Sequence, residues 1–242
     1  MPKLAIGCSG FNYPHWREAF YPERLPQRQW LSHYASVFSS VELNVTFYRL
    51  PKPSTFAKWR LETPAGFVFS LKGSRFITHV KRLRDPEEPL ERFFGAALAL
   101  QEKLGAVLWQ LPPRFRADSQ RLERFLKLLD RYPVRNTLEF REESWLGAET
   151  ASLCREHNVP LCMADWPQFL VETPLTADFI YIRRHGRQGD YATDYDHGEL
   201  AGDADRIRGY LEGGRDVFIY FNNDALGHAP KNASELKGML EQ

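Results

Sequence analysis

Sulfur chemistry is scarce in this sequence. Its 242 residues include three cysteines, Cys8, Cys154 and Cys162, too few and too scattered for a disulfide framework, and none stands in the CxxC spacing of a zinc site. Long apolar runs are lacking as well. The start, MPKLAIGCSG, is too polar for a signal peptide, and no later run approaches the roughly 20 residues a membrane helix needs. The expected home is a reducing cytoplasm, with no membrane partner. An excess of charge of one sign is also missing: 32 Lys and Arg stand against 31 Asp and Glu, a formal net charge of +1. Global electrostatics therefore gives no reason to expect strong non-specific nucleic-acid binding. Neither GxGxxG nor GxxxxGK[ST] follows the first apolar run, which removes the strongest support for a nucleotide-binding open sheet.

What the chain does have is alternation. Short apolar runs rich in β-branched and aromatic residues, bounded by Gly, Pro or polar residues, predict strands at 4–8, 40–44, 67–72, 106–111, 136–140, 160–164, 178–183 and 217–221. Helical stripes lie between several of them. Asp118 is a fitting N-cap for 118–130, where Leu122, Phe125, Leu126 and Leu129 share a face. Residues 88–104 carry a similar stripe, with Gly105 suited to the stop. Pro26 and Ser54 could each open a helix, and 203–211 and 232–241 show weaker patterns. WPQFLVETPLTA, between strands six and seven, has two prolines and little periodicity, so an irregular or absent helix is expected there. No linker or internal repeat divides the chain. The expectation is one domain over 1–242, an α/β (β/α)₈ TIM-type barrel whose site lies at the C-terminal ends of the strands.

Side chains two apart on a strand share a face. By that parity Glu42 with Asn44, Ser70 with Lys72, Gln110 with Leu108, Glu139 with Arg141, Asp165 with Met163, Arg183 with His185, and Asn222 with Tyr220 form sets with the polar member at the C-terminal end. The first strand offers only the small Ala5, Gly7 and Ser9, which would leave room for a ligand beside the wall formed by FNNDALGHA, residues 221–229. This is the pattern of a packed interior opening into a polar bowl. The same charges could instead neutralise one another in a buried network that fixes geometry without doing chemistry.

Glu139, Asp165 and Glu42 come from three strands and are the candidates for acid–base work. A metal could draw on Glu42, Glu139, Asp165 and His185, but no HExxH-like spacing exists and the intermixed Lys72, Arg141 and Arg183 would repel a cation. A divalent metal is therefore not favoured, and no cofactor is expected. Cys8 has outward parity, which suits a small buried residue better than a nucleophile. KGSRFITHVKRLR, residues 72–84, is the strongest local cationic patch; with Lys72, Arg75, His79 and Arg82 it suits phosphate or another anion, or else a solvated loop. Aromatics follow the strands too: Phe11, Tyr13, Trp16, Phe47, Tyr48, Phe76, Trp145 and Trp166. They could stack on bases or sugars, though Trp16 and Trp145 suit packing better.

In order along the chain, IGCSGFNYPHW, FYPERLPQRQWLSHYA, VELNVTFYRLP, FSLKGSRFITHVKRL, LWQLPPRF, LEFREESW and YFNNDALGHAPKNA resemble the YecE-like family, a domain of unknown function. The resemblance runs from residue 4 to about 240 and implies a TIM-type barrel; the family usually has Trp where this chain has Phe11. Positions matching its motifs are Glu42, Asn44, Tyr48, Lys72, His79, Arg82, Gln110, Glu139, Arg141, Asn222 and Asn223. No reaction comes with the resemblance. A likeness to barrel endonucleases is a fold-level analogy, and the chain lacks the His-rich metal set such enzymes need.

The leading expectation is a small anionic ligand, a phosphate-bearing sugar, nucleotide or nucleic-acid fragment, held at the mouth by Lys72, Arg141 and Arg183 and oriented by Asn44, Gln110, Asn222 and Asn223. Tyr48, Arg75, His79, Arg82 and His185 complete the candidate binding set. If chemistry occurs, a hydrolase or lyase using the carboxylates is the class expected. The alternatives are a non-catalytic nucleic-acid-binding module using 72–84 and the loop aromatics, and a scaffold for a protein partner that binds on an outer helix.

Overall fold

The computed structural model describes residues 2–165 and 173–241. Its strands are β1 (Leu4–Cys8), β2 (Ser40–Leu43), β3 (Val68–Lys72), β4 (Leu104–Gln110), β5 (Arg135–Glu139), β6 (Met163–Ala164), β7 (Phe179–Arg184) and β8 (Asp216–Phe221). All ladders are parallel and run in two sheets, β1-β8-β7-β6 and β2-β3-β4-β5. Single parallel bridges, Ser9 with Glu42 and Leu138 with Leu161, join the sheets at both seams. The result is a closed (β/α)₈ TIM-type barrel, as the alternation predicts.

The helices are α1 (Trp30–Val37), a single turn α2 (Val45–Tyr48), α3 (Pro53–Leu61), α4 (Glu87–Ala97), α5 (Ser119–Leu129), α6 (Ala148–Glu156), α7 (His197–Glu212) and α8 (His228–Leu240). Asp118 caps α5 as expected, its carboxylate accepting from Arg121 N at 3.0 Å. Two expectations need correction. Lys52, not Ser54, precedes the first turn of α3, with Pro53 at the first helical position. Gly105 does not stop a helix; it lies in β4, where a Cβ would come within 2.3 Å of Val68 Cγ1. Between β6 and β7 the described residues, 173–178, form no helix; Trp166 and the rest of the predicted irregular connection lie outside the described residues.

The core divides at the strands. One apolar cluster fills the space between barrel and helices, including Trp30, Phe69, Trp109, Phe125, Ile180 and Ile219. A second fills the lumen with Ala5, Ala106, Leu108, Phe179, Tyr181, Phe218 and Tyr220. The lumen turns polar upward: the Tyr220 hydroxyl meets Ser40 Oγ at 2.5 Å and Ser70 Oγ at 2.8 Å.

The β1–β2 seam explains the small residues of β1. A Cβ on Gly7 would lie 1.9 Å from Ser40 O and 2.5 Å from the Tyr34 hydroxyl. Gly7 therefore makes room for β2 and for Tyr34, not for a ligand. The Tyr34 hydroxyl accepts from Cys8 N at 2.7 Å and donates to Ser40 O at 2.9 Å, replacing ladder bonds that the two strands do not make directly. Tyr34→Phe should therefore leave a buried N–H and C=O unpaired and cost about 1–3 kcal/mol in urea unfolding; an unchanged midpoint would show that the seam does not need the bridge.

Candidate functional site at the barrel mouth

The upper lumen is organised around Arg183 of β7, fully buried. Its Nη2 and Nε donate to Glu42 Oε1 of β2 at 2.8 and 3.1 Å, and its Nη1 donates to Glu139 Oε2 of β5 at 2.7 Å. Glu42 also accepts from Ser9 Oγ and the Tyr181 hydroxyl, each at 2.7 Å. Glu139 pairs through its other oxygen with Arg141. Burial pushes both carboxyls up, but opposing charge wins. Arg183 and the hydrogen bonds from Ser9, Arg183 and Tyr181 hold Glu42 below its ordinary value. The charges of Arg141 and Arg183 hold Glu139 well below. Both are fixed carboxylates.

His185 lies above this network. Burial and the Arg183 charge lower its pKa to about 4, so it is neutral at physiological pH. Its Nε2 stands 3.0 Å from Arg141 Nη2 and 3.2 Å from Arg183 Nη1, which only donate, so Nε2 is the acceptor there. The Asn222 amide nitrogen stands 3.1 Å from Nδ1. His185 and Asn222 thus join the site as parity predicts.

Lys72 ends β3 beside this network but outside it. Its ammonium lies 4.6 Å from the centre of the Phe47 ring and makes no hydrogen bond or ion pair among the described residues. Burial, with the Arg183 charge next in weight, lowers its pKa to about 8. The chain then enters a π-helical turn, Phe76–Val80. His79 sits at the edge of Phe47, with ring centres 5.0 Å apart, and is lowered to about 4 by burial and by the charges of Lys72, Arg75 and Arg82. Arg75 and Arg82 are exposed and meet no carboxylate within ion-pair distance among the described residues. Tyr48, 78% exposed, packs its ring edgewise on Phe47. Phe47, one of the aromatics that follow the strands, links Lys72, His79 and Tyr48. Asn44 follows β2 in register with Lys72 and donates to Ser9 O at 3.3 Å, while half-buried Gln110 ends β4.

Two predicted members face elsewhere. Asp165 does not join Glu42 and Glu139. Strand β6 turns Cys162 and Ala164 into the lumen, the opposite parity, so Asp165 accepts from His185 N at 2.6 Å and from the Tyr195 hydroxyl. Burial raises its pKa, with those hydrogen bonds offsetting part of the rise. Asn223 is fully buried below the mouth, donating to Thr193 O at 2.8 Å and Asn232 Oδ1 at 2.7 Å, where it ties the loop after β7 to α8. The other aromatics divide. Trp16 and Trp145 are buried packing residues whose indoles donate to Asp224 Oδ1 and Phe115 O. Phe11, Tyr13 and Trp59 line a cavity of about 320 Å³ with Asn44 at the β1–β2 side of the mouth. A cavity of about 680 Å³ opens at the opposite, N-terminal end among Lys3, Ala5, Gly105, Arg135 and Phe218. Its larger volume lacks the converging strand-end charges, so the site is assigned to the C-terminal mouth. Among the described residues no three His, Cys, Asp or Glu side chains gather as metal ligands.

A closed parallel barrel with charged strand ends at its C-terminal mouth defines a protein of the TIM-barrel class. Residues 5–242 match the family model described as "Protein of unknown function DUF72", and the chain belongs to that family. It is 26% identical over 271 aligned residues to the UPF0759 protein YunF of Bacillus subtilis (strain 168), spanning 98% of this chain and 95% of that one. The UPF0759 protein YecE of Escherichia coli (strain K12) is 35% identical over 112 residues, 46% of this chain and 39% of that one. A DUF72 family protein from Thermotoga maritima has a similar crystal structure, with a TM-score of 0.88 at 31% identity, covering 99% and 100% of the two chains. A D-psicose 3-epimerase, with a TM-score of 0.56 at 8% identity over 93% of this chain and 98% of that one, shares the fold alone.

Replacing Arg183 with Met should strand two buried carboxylates and destabilise the fold by about 3–5 kcal/mol, with the added change Glu42→Gln restoring part of the loss. Because both folded-state pKa values are depressed, the stability these acids contribute is present above their ordinary value of 4.5 and lost as pH falls below it. Urea unfolding of the variants at pH 7 and pH 4 measures both effects; equal losses at the two pH values would contradict the assigned charges.

Proposed function

We propose that the mouth binds a small anionic ligand, a phosphate-bearing sugar or nucleotide, on Lys72, Arg75 and Arg82. The observation that carries this reading is a charge imbalance. Around Lys72 the charges that bear on it among the described residues are Arg183 and Arg141 against Glu42 and Glu139, His185 is neutral, and the two acids are already engaged by the guanidiniums. Arg75 and Arg82 add positive charge at the rim. An anion would supply what the protein does not. Asn44 and Gln110 stand at the ends of β2 and β4, the strands on either side of β3, to orient it, and Tyr48 offers an exposed face for a ring. Glu42 and Glu139, ionised and paired with guanidiniums, serve to hold Arg183 rather than to move protons.

The nucleic-acid reading draws on the same cations together with exposed Tyr48 and with Phe76, whose ring has the Lys81 ammonium 5.9 Å from its centre. It predicts affinity that falls steeply with salt over many phosphate contacts. No helix among the described residues is long and apolar enough to cross a membrane. A reducing compartment suits cysteines that are buried and unpaired.

Glycerol 3-phosphate should bind to the whole protein in calorimetry at low ionic strength. Lys72→Ala and Arg82→Ala should each weaken it about tenfold, the scale of one charge-assisted contact, without lowering the unfolding midpoint. Affinity should fall as pH rises through about 8, where Lys72 loses its proton. Affinity indifferent to both variants refutes the assignment.

A further inference from the structure

We propose that Lys72 is an imine-forming amine and that the ligand of this mouth is a phosphorylated aldehyde or ketone. The inference rests on the anion-binding reading and names the substrate class it leaves open.

The geometry is that of a presented amine. Lys72 ends β3 on the inward face, two residues above Ser70, which is in register with Glu42 of β2. Its backbone is held on both sides. Thr46 Oγ1 donates to Lys72 O at 2.6 Å, and Gly73 N donates to Leu108 O at 2.8 Å. Gly73 itself admits no side chain, since a Cβ would meet the Trp109 ring at 2.2 Å. The ammonium rests on Phe47 yet satisfies none of its three donors with a protein acceptor among the described residues. Lys103 shows the contrasting design. Also taken out of water, it donates to Arg60 O, Thr63 O and Thr63 Oγ1 at 2.7, 2.7 and 3.0 Å, and so serves as a structural cap at the end of α3. A structural lysine in this fold is saturated; Lys72 is not.

The surroundings favour the free base. Arg183 on β7 and Arg141, two residues past the end of β5, bear on the amine with like charge, and His79 and Arg75 of the following turn add none of the opposite sign. Glu139 and Glu42 oppose them, but Arg141 and Arg183 already claim both. With burial, these charges bring the pKa to about 8. At neutral pH that leaves on the order of a hundredfold more free amine than an ordinary lysine has. A desolvated lysine among cations is a recurring way to make a nitrogen nucleophile. The rim cations that would hold a phosphate are the amine's neighbours.

The step balances without an oxidant. The neutral nitrogen adds to the carbonyl carbon, the C=N bond forms as the C=O bond breaks, and the oxygen leaves as water with the two amine hydrogens. An imine so placed withdraws electrons from the adjacent carbon, the requirement of C–H and C–C bond cleavage next to a carbonyl.

Pyridoxal 5′-phosphate, an aldehyde carrying a phosphate, is the probe. Incubation with the whole protein, borohydride reduction and peptide mapping should give one adduct per chain, on Lys72, formed about tenfold faster than on exposed Lys52, with lower basicity offsetting part of the gain in free amine. The rate should rise with pH through about 8, opposite to the binding of glycerol 3-phosphate, which should compete. Lys72→Arg, which keeps the charge and removes the amine, should abolish the adduct. Adducts spread over surface lysines, with glycerol 3-phosphate still bound, would overturn the imine and leave the anion site standing. A Lys72 adduct that glycerol 3-phosphate does not displace would overturn the phosphorylated class, and the anion reading with it.

Discussion

One guanidinium decides the chemistry of the barrel mouth. Arg183 is wholly buried, and a buried charge survives only if it is matched and hydrogen-bonded. The match comes from Glu42 and Glu139, on β2 and β5, so a single side chain of β7 ties three separate strands together through the lumen. This fixes geometry and it also commits the acids. Neither carboxylate is free to titrate near neutrality or to neutralise another cation. Lys72, at the end of β3, has the Phe47 ring beside it and no ion-pair partner among the described residues. The unusual property of the site follows from the satisfaction of its neighbour.

A second constraint is the closure of the barrel. The seams are thin, one bridge each, and the β1–β2 seam is completed by a side chain, the Tyr34 hydroxyl. Gly7 is required there because two backbones and a phenol meet where a methyl group would stand. Closure sets Ser9 against Glu42 and so brings β1 into the network that holds Arg183. Fold and site are thus coupled through the top of β1.

Much of this was legible in the sequence, for a physical reason. Parallel strands covered by helices must be short and apolar, so the eight runs stood out, and the period of two carried Glu42, Lys72, Glu139, Arg183, His185 and Asn222 to the correct face. Asp165 failed because β6 pairs over only two residues; in so short a strand the parity has no anchor, and a shift of one residue turns every side chain to the other face. Asn223 entered the candidate set through the family motif, not through parity; one residue past Asn222 its side chain takes the other direction and bonds to Thr193 and to Asn232 of α8. Gly105 read as a helix stop because glycine serves both caps and close strand packing, and sequence does not separate them. The bridging role of Tyr34, from a helix face that looked merely apolar, depends on contacts between segments that only the closed barrel brings together. Helix α6 left no clear stripe, because its buried positions, Thr150, Ala151 and Cys154, are small or polar.

If Lys72 is half-charged near pH 8 and an anion is what completes the mouth, binding must draw a proton onto that amine. The direct measurement is calorimetric titration of glycerol 3-phosphate at pH 8 in two buffers of different ionisation enthalpy. The account predicts uptake of a fraction of a proton per ligand bound, abolished by Lys72→Arg, whose guanidinium stays charged. Binding with no proton exchange, or with proton release, would contradict it.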